Sequence, residues 1–441
     1  NKTGTLRWNS VINPKLFSNT SLIYSDYDYN IQIQGDDIKF NINSSIQDWN
    51  LKQEFQYFQS TKSSWRVGLN LIHHELAPSR FEGDAEVFNS LNTVSRKSLE
   101  NALYANHVYK LTNRLNIDYG LRLSVYSILG GDTYNVYQDG EKTESIVLSK
   151  NKIGKTFVNP EPRLALNAQL TENSSFKVGY ARNTQNLHLL SNSTSGSPTD
   201  AWIGNSYNIK PEISDQVSGG YFRNFRDNEY EMSVETYYKK MQHQVDYKNG
   251  ADIQTAPDVE SELLFGDGRA YGAEFFIKKR KGTFTGWISY TLSRTERKIN
   301  GINENKWYNA KQDRTHDLAV VASYQLTKRW SLSSNFVFYT GNAVTFPSGK
   351  YNIEDRTIYY YTERNGYRMP NYHRLDFSAN YEGRQDRKWR SSWNFSLYNV
   401  YGRENAYAIT FKDDPDDSSK TLAEQTALFK WVPSITYNFN F

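Results

Sequence analysis

The chain has 441 residues, no cysteine, three methionines, 33 tyrosines and 15% aromatic residues. Disulfide scaffolds and thiolate metal sites are thereby excluded, as is a disordered chain. With 52 Lys+Arg against 48 Asp+Glu, the formal charge of +4 is too weak to argue for a nucleic-acid partner. No stretch approaches the roughly 18 consecutive apolar residues of a membrane helix. A mean hydropathy of −0.75 still admits a membrane β-barrel, because alternating apolar and polar positions cancel in any averaging window.

Alternation is what the chain shows from end to end. A first run covers Thr5 to Ile12. Leu115, Ile117, Tyr119, Leu121, Leu123 and Val125 then alternate with Asn116, Asp118, Arg122 and Ser124. Leu164, Leu166, Ala168 and Leu170 follow, then Tyr271, Ala273, Phe275 and Ile277, then Leu318, Val320, Ala322, Tyr324 and Leu326. Leu375 to Tyr381, Trp393 to Leu397 and Phe429 to Phe441 repeat the pattern. About seventeen such runs of period two occur and none has a period of 3.6, which predicts an all-β chain. Trp330 to Thr340, continuing into Val344 to Phe346, is expected to exceed the roughly 9–11 residues that cross a bilayer.

Connection lengths alternate as well. Short turns are expected at Asn13 to Lys15, Ser60 to Ser63, Thr112 and Asn113, Glu172 and Asn173, Arg226 to Asn228, Lys279 to Gly282, Thr327 and Lys328, and Gln385 to Lys388. Long connections are expected near 79–98, 130–155, 191–212, 248–268, 298–313, 347–370 and 412–426, with Gly35 to Asp37 as a short exception. Long loops confined to one side are the pattern of an outer-membrane barrel, with short periplasmic turns and longer extracellular loops. On that reading residues 1–441 are one transmembrane antiparallel β-barrel domain. Its odd strand count implies strands that precede Thr5.

The last strand, Leu428 to Phe441, resembles that of TonB-dependent outer-membrane receptors, and Phe441 looks like the residue read by the barrel-assembly machinery. Ile209 to Gln216 (IKPEISDQ), Asp267 to Glu274 (DGRAYGAE), Asp313 to Asp317 (DRTHD), Thr340 to Gly349 (TGNAVTFPSG) and Ser396 to Ala406 (SLYNVYGRENA) resemble the second half of the same barrel. The resemblance implies most of a twenty-two-stranded barrel, strands six to twenty-two, with the plug, the TonB box and the first strands absent. It further implies an outer-membrane location in a Gram-negative bacterium and active import of a scarce, large nutrient, energised by the TonB complex through the missing N-terminal region. The resemblance also implies outer-membrane lipid and the barrel-assembly machinery as partners, and admits a surface lipoprotein capping the mouth, as in related glycan importers, although the last strand does not closely match that subfamily. No cofactor and no nucleic acid are implied.

Cargo recognition is expected in the long loops, where aromatic faces stack on rings and guanidinium groups fork onto carboxylates or phosphates. The candidates are Tyr359, Tyr360, Tyr361, Arg364 and Arg368, with Tyr367 beside them, then Trp202 and Tyr207, then Trp307 and Tyr308; packing of loop on loop is the competing role for each. His73, His74 and Glu75 have metal-ligating chemistry, but His73 and His74 fall on opposite faces of a strand and cannot share an ion unless the strand bulges. Asp313, His316 and Asp317 read as a lumen hydrogen-bond network rather than a catalytic one. Arg122, Arg163, Lys177, Arg294 and Arg374 are expected in the lumen. A passive channel, an outer-membrane hydrolase and a soluble lectin-like sheet are the alternative readings.

Overall fold

The computed structural model describes the chain apart from residues 35–38, 84–94, 139, 192–199, 252–257, 354–355, 384–389, 418 and 441. Phe441 and the turns expected at 35–37 and 385–388 therefore lie outside the described residues.

The period-two runs pair into one antiparallel sheet of 18 strands. One of these, Tyr308–Asn309, is only two residues long. The others succeed one another in chain order, each laddered to the one before: Lys2–Asn13, Leu16–Gln34, Lys39–Ser60, Ser63–Gly83, Arg96–Lys110, Leu115–Leu129, Ile153–Thr171, Ser174–Gln185, Glu212–Phe225, Tyr230–Tyr247, Leu263–Lys279, Phe284–Ile299, His316–Gln325, Trp330–Tyr339, Tyr372–Glu382, Arg390–Tyr398 and Val432–Asn440. No described helix is long and apolar enough to cross a membrane.

Connections at one end are tight, and short polar side chains close them. Asn13 accepts the Lys15 amide at 2.9 Å, Thr112 accepts those of Arg114 and Leu115, and Thr327 accepts those of Arg329 and Trp330. Each side chain does the work of a backbone turn bond, which lets two strands reverse within a few residues. Arg226, Asp227 and Asn228 take left-handed backbone angles at another of these turns.

The two faces of the sheet differ in the way the alternation predicts. Leu103, Leu121, Val217 and Ile435 are 60, 51, 53 and 67% exposed, and dozens of large apolar side chains share that face. A soluble sheet does not leave so large a contiguous apolar surface in water; a bilayer covers it. The opposite face carries a polar network. Tyr104 donates to Glu54 at 2.7 Å, Asn106 to Asp118 at 2.7 Å, and Arg122 lies 3.8 Å from Glu161. Arg163 joins them around a cavity of about 780 Å³.

Three expectations are corrected or refined here. Arg294 is not on the polar face: it stands opposite Tyr271 and shares the parity of Ile288 and Leu292, both exposed apolar residues. The strand beginning at Trp330 stops at Tyr339, because the chain leaves the sheet there. Ala343 and Val344 pair instead with Tyr367 and Arg368, and Gly341 passes so close to the Met369 carbonyl that no Cβ fits. His73 and His74 occupy successive positions of one strand, opposite Trp49 and Asp48 respectively. His74 is buried and its Nδ1 meets Asp48 at 2.7 Å.

Candidate functional site

Among the described residues, compact apolar cores form where the long connections gather. One joins Leu190, Ile203, Ile209, Val245, Tyr247 and Leu263; a second joins Tyr126, Ile128 and Tyr134; a third joins Ile299, Ile302 and Tyr308. The connections carry their own hairpins, Asp132–Gln138 with Glu141–Leu148, Leu187–Leu190 with Ala201–Gly204, Gly349–Ile353 with Arg356–Tyr360, and Ala408–Asp413 with Thr421–Thr426. A short 3-10 turn, Val259–Glu262, is capped by the Asp258 carboxylate. These elements bury one another, so the mouth of the sheet is built rather than loose.

Between them lies a cavity of about 930 Å³, bordered by Leu190, Asp246, Arg297, Lys311, Tyr361 and Arg364 among others. Asp246 is its hub. Its carboxylate accepts from Arg364 Nη1 at 2.9 Å and from the Tyr308 hydroxyl at 3.1 Å, with Arg297 at 4.0 Å. Arg364 also donates to the Tyr247 carbonyl and to Asn249, while its backbone exchanges hydrogen bonds with the side chain of Asn303. Three acceptors hold the guanidinium and Asn303 holds the backbone, so Arg364 staples the 361–368 segment to the wall.

Lys311 differs. Its ammonium donates to Ser191 at 2.9 Å, and burial pushes its pKa down, Asp200 and Asp246 opposing the shift. Tyr361 stands 57% exposed at the opening with its ring available. A cation with spare donors, an open aromatic face and an aliphatic patch of Leu190 and Val245 form a chamber suited to a solute that is both ringed and anionic.

The candidate residues from the sequence do not all meet here. Tyr361 and Arg364 border the cavity, and Tyr308 supports it from beneath through Asp246. Arg368 is tied to Asp313 and to the Gly341 carbonyl, and Asp313 is fully buried and also accepts the Thr295 amide at 2.5 Å. Tyr359 reaches Asp413, Tyr360 lies exposed on the hairpin's other face, and Tyr367 rests against Phe346. Trp202 pairs with Leu189 in its hairpin, and Tyr207 packs on Tyr134 with its carbonyl held by Lys155. Trp307 is placed away from the chamber: its ring lies 4.3 Å from the Arg269 guanidinium. His316 is hydrogen-bonded to Tyr290 and stands opposite the exposed Leu292 on the apolar face, while Asp313 pairs with Arg368, so the expected lumen network does not form and the DRTHD segment is a structural junction. Asp246 and Lys311 had no signal in the sequence, being single charged residues at the edges of long connections. Among the described residues no group of three or more His, Asp or Glu side chains has the arrangement to hold a metal ion.

The fold has solved counterparts. The ferric-catecholate import receptor Fiu from E. coli K12, in its closed form, superposes with a TM-score of 0.59 at 13% identity, over 99% of this chain and 64% of that one. The copper transporter OprC gives 0.64 at 10% identity, over 99% and 65%. The ferric yersiniabactin uptake receptor FyuA from Yersinia pestis gives 0.65 at 14% identity, over 100% and 61%. The chain therefore spans just under two thirds of the length of these receptors. A sequence comparison with curated proteins finds no match. The model of the "TonB dependent receptor-like, beta-barrel" family matches residues 2–400, and the chain belongs to that family.

Proposed function

We propose that the chain is the wall and mouth of an outer-membrane importer, energised through TonB, that admits a scarce, large nutrient. The observation that carries this reading is the division of the sheet into an apolar outer face and a polar inner face, closed at one end by packed connections around a chamber. A barrel this wide leaks unless it is filled, so admission of a large solute calls for a plug and an external source of work. A plug contacted by TonB and Phe441 as the signal read by the assembly machinery are part of the same proposal. Ferric-catecholate, copper and ferric yersiniabactin are named for the solved receptors of the same fold; of these, a ringed, anionic complex such as a ferric-catecholate suits Tyr361 and Lys311.

Uptake by the full-length protein is expected to collapse with an uncoupler or on loss of TonB; unchanged uptake rejects the reading in favour of a passive channel. Deleting 347–370 is expected to abolish cargo binding while leaving a heat-resistant barrel, and undiminished affinity would show that the chamber is not the cargo site.

A further inference from the structure

The outer face changes character abruptly at one level. Phe176, Val178, Phe275, Ile277 and Leu292 make it apolar, and the row above them is mostly aromatic: Tyr180, Val217, Tyr238 and Tyr271 stand opposite one another in turn. One pleat higher, on the side of the long connections, the row is charged. Arg182 stands opposite Asp215, Asp215 opposite Lys240, Lys240 opposite Arg269, and Arg269 opposite Glu296. Arg294 joins it from the aromatic row, where it faces Tyr271.

Two features of this ladder call for an anion. Lys240 and Arg269 are like charges directly across a strand pair, an arrangement that destabilises a sheet unless something lies between them. Lys240 has no carboxylate within 4.0 Å among the described residues; Asp215, opposite it on its other side, is taken up by a two-pronged bond from Arg182. Glu296, only 5% exposed, meets Arg269 at 2.7 Å and Arg294 at 2.9 Å, in both cases through Nε. The carboxylate thus fixes two guanidinium groups side by side while the described hydrogen bonds leave their terminal nitrogens free. Trp307, 38% exposed, covers Arg269 from the other side. Fixed guanidinium forks and an ammonium immediately above an aromatic belt match a phosphate at headgroup depth.

We propose that Lys240, Arg269 and Arg294 bind the phosphate of a lipid headgroup in the leaflet on the side of the long connections. Glu296 and Trp307 act as positioning residues. The inference rests on the membrane reading given above.

The test uses the full-length protein and a bis-phosphorylated glycolipid, diphosphoryl lipid A, against its dephosphorylated form, with lipid retention read by native mass spectrometry. Wild type is expected to prefer the phosphorylated lipid, and K240Q/R294Q to lose about tenfold in affinity. K240Q alone leaves the Glu296 clamp intact and is expected to lose several-fold. K239Q, one residue along and on the polar face, is expected to bind as wild type. Equal affinity of wild type and K240Q/R294Q, equal affinity for the two lipids, or displacement of the lipid by an equal concentration of inorganic phosphate would each overturn the proposal. Heat-modifiable migration after insertion into bilayers reports the barrel separately. Loss of lipid preference in an inserted barrel defeats this inference alone, and failure to insert defeats the membrane reading with it.

Discussion

Replacing Asp246 by alanine removes the acceptor on which Arg364, Tyr308 and Arg297 converge. The Asp246 and Arg364 side chains are 13% and 16% exposed, so solvent does little to screen the charge left behind. Breaking a pair this buried by deleting one partner costs about 3 kcal/mol, toward the low end for buried pairs because Arg364 keeps its bonds to Tyr247 and Asn249. At about 1.4 kcal/mol per decade, the opening equilibrium of the 361–368 segment rises about 150-fold. Amide exchange follows that equilibrium, so exchange across 303–309 and 361–368 is expected to accelerate by two orders of magnitude while Leu115–Leu129 is unchanged. D246N keeps the shape and one acceptor and is expected to fall between. In a double-mutant cycle with R364A the two substitutions are expected to be strongly non-additive. Wild-type protection in D246A would refute the assignment of Asp246 as the joint that holds the chamber's wall.

Burial pushes the Glu260 carboxyl above the usual range, Asp258 adding to the shift and the hydrogen bonds from Ser206 and Asn208 opposing it. A folded pKa above the unfolded one gives a contribution present in full below the unfolded pKa and lost as pH rises through the folded one. Protection of Val259–Glu262 is therefore expected to weaken as pH rises past the ordinary carboxylate range, and E260Q to flatten the profile; protection that grows with pH refutes this. Asp413 accepts from Lys350 at 2.7 Å and from Thr357 and Tyr359, clamping two hairpins together. D413A is expected to expose the Gly349–Ile353 hairpin to limited proteolysis, and an unchanged cleavage rate would show that the Phe346 and Phe411 ring contact suffices. L121R is expected to lose about 2–4 kcal/mol in bilayer unfolding titrations. Equal stability would place that face against protein rather than lipid.

The wall of the barrel was legible because a strand in a membrane has to repeat one rule at every second residue. Leu115 to Val125 could be assigned from alternation alone, since each side chain meets either lipid or the lumen whatever its neighbours do. The same independence explains why the tight turns could be read: Asn13, Thr112 and Thr327 act through backbone amides two or three residues away. Arg294 was misplaced where that rule lapses. Near the rim the outer face meets headgroups and not acyl chains, so a charged residue there carries no penalty that would force it inward. Trp330 onward failed for a related reason, because beyond Tyr339 the chain pairs with a loop and the period no longer reports a sheet face.

The mouth was legible in composition but not in role, and Arg364 shows why. As a loop arginine among tyrosines it has the chemistry to receive a carboxylate, and the sequence offers no way to see that Asp246, more than a hundred residues earlier, already supplies one. Arg368 with Asp313 repeats the case, the anion coming from the other end of a different connection. A guanidinium held by three acceptors, as in Arg364 and Arg368, orders the loop that bears it, and a cation held by one acceptor keeps more donors for a ligand; the distinction depends on long-range pairing and on nothing local. Lys311, holding one hydroxyl, belongs to the second kind, as do Arg269 and Arg294 around Glu296. The partition yields a concrete ranking. K311Q is expected to weaken cargo binding with little change in exchange across the chamber, whereas R364Q is expected to change both. If K311Q loosened the chamber as much as R364Q does, free donors would not be what separates a binding residue from a structural one here.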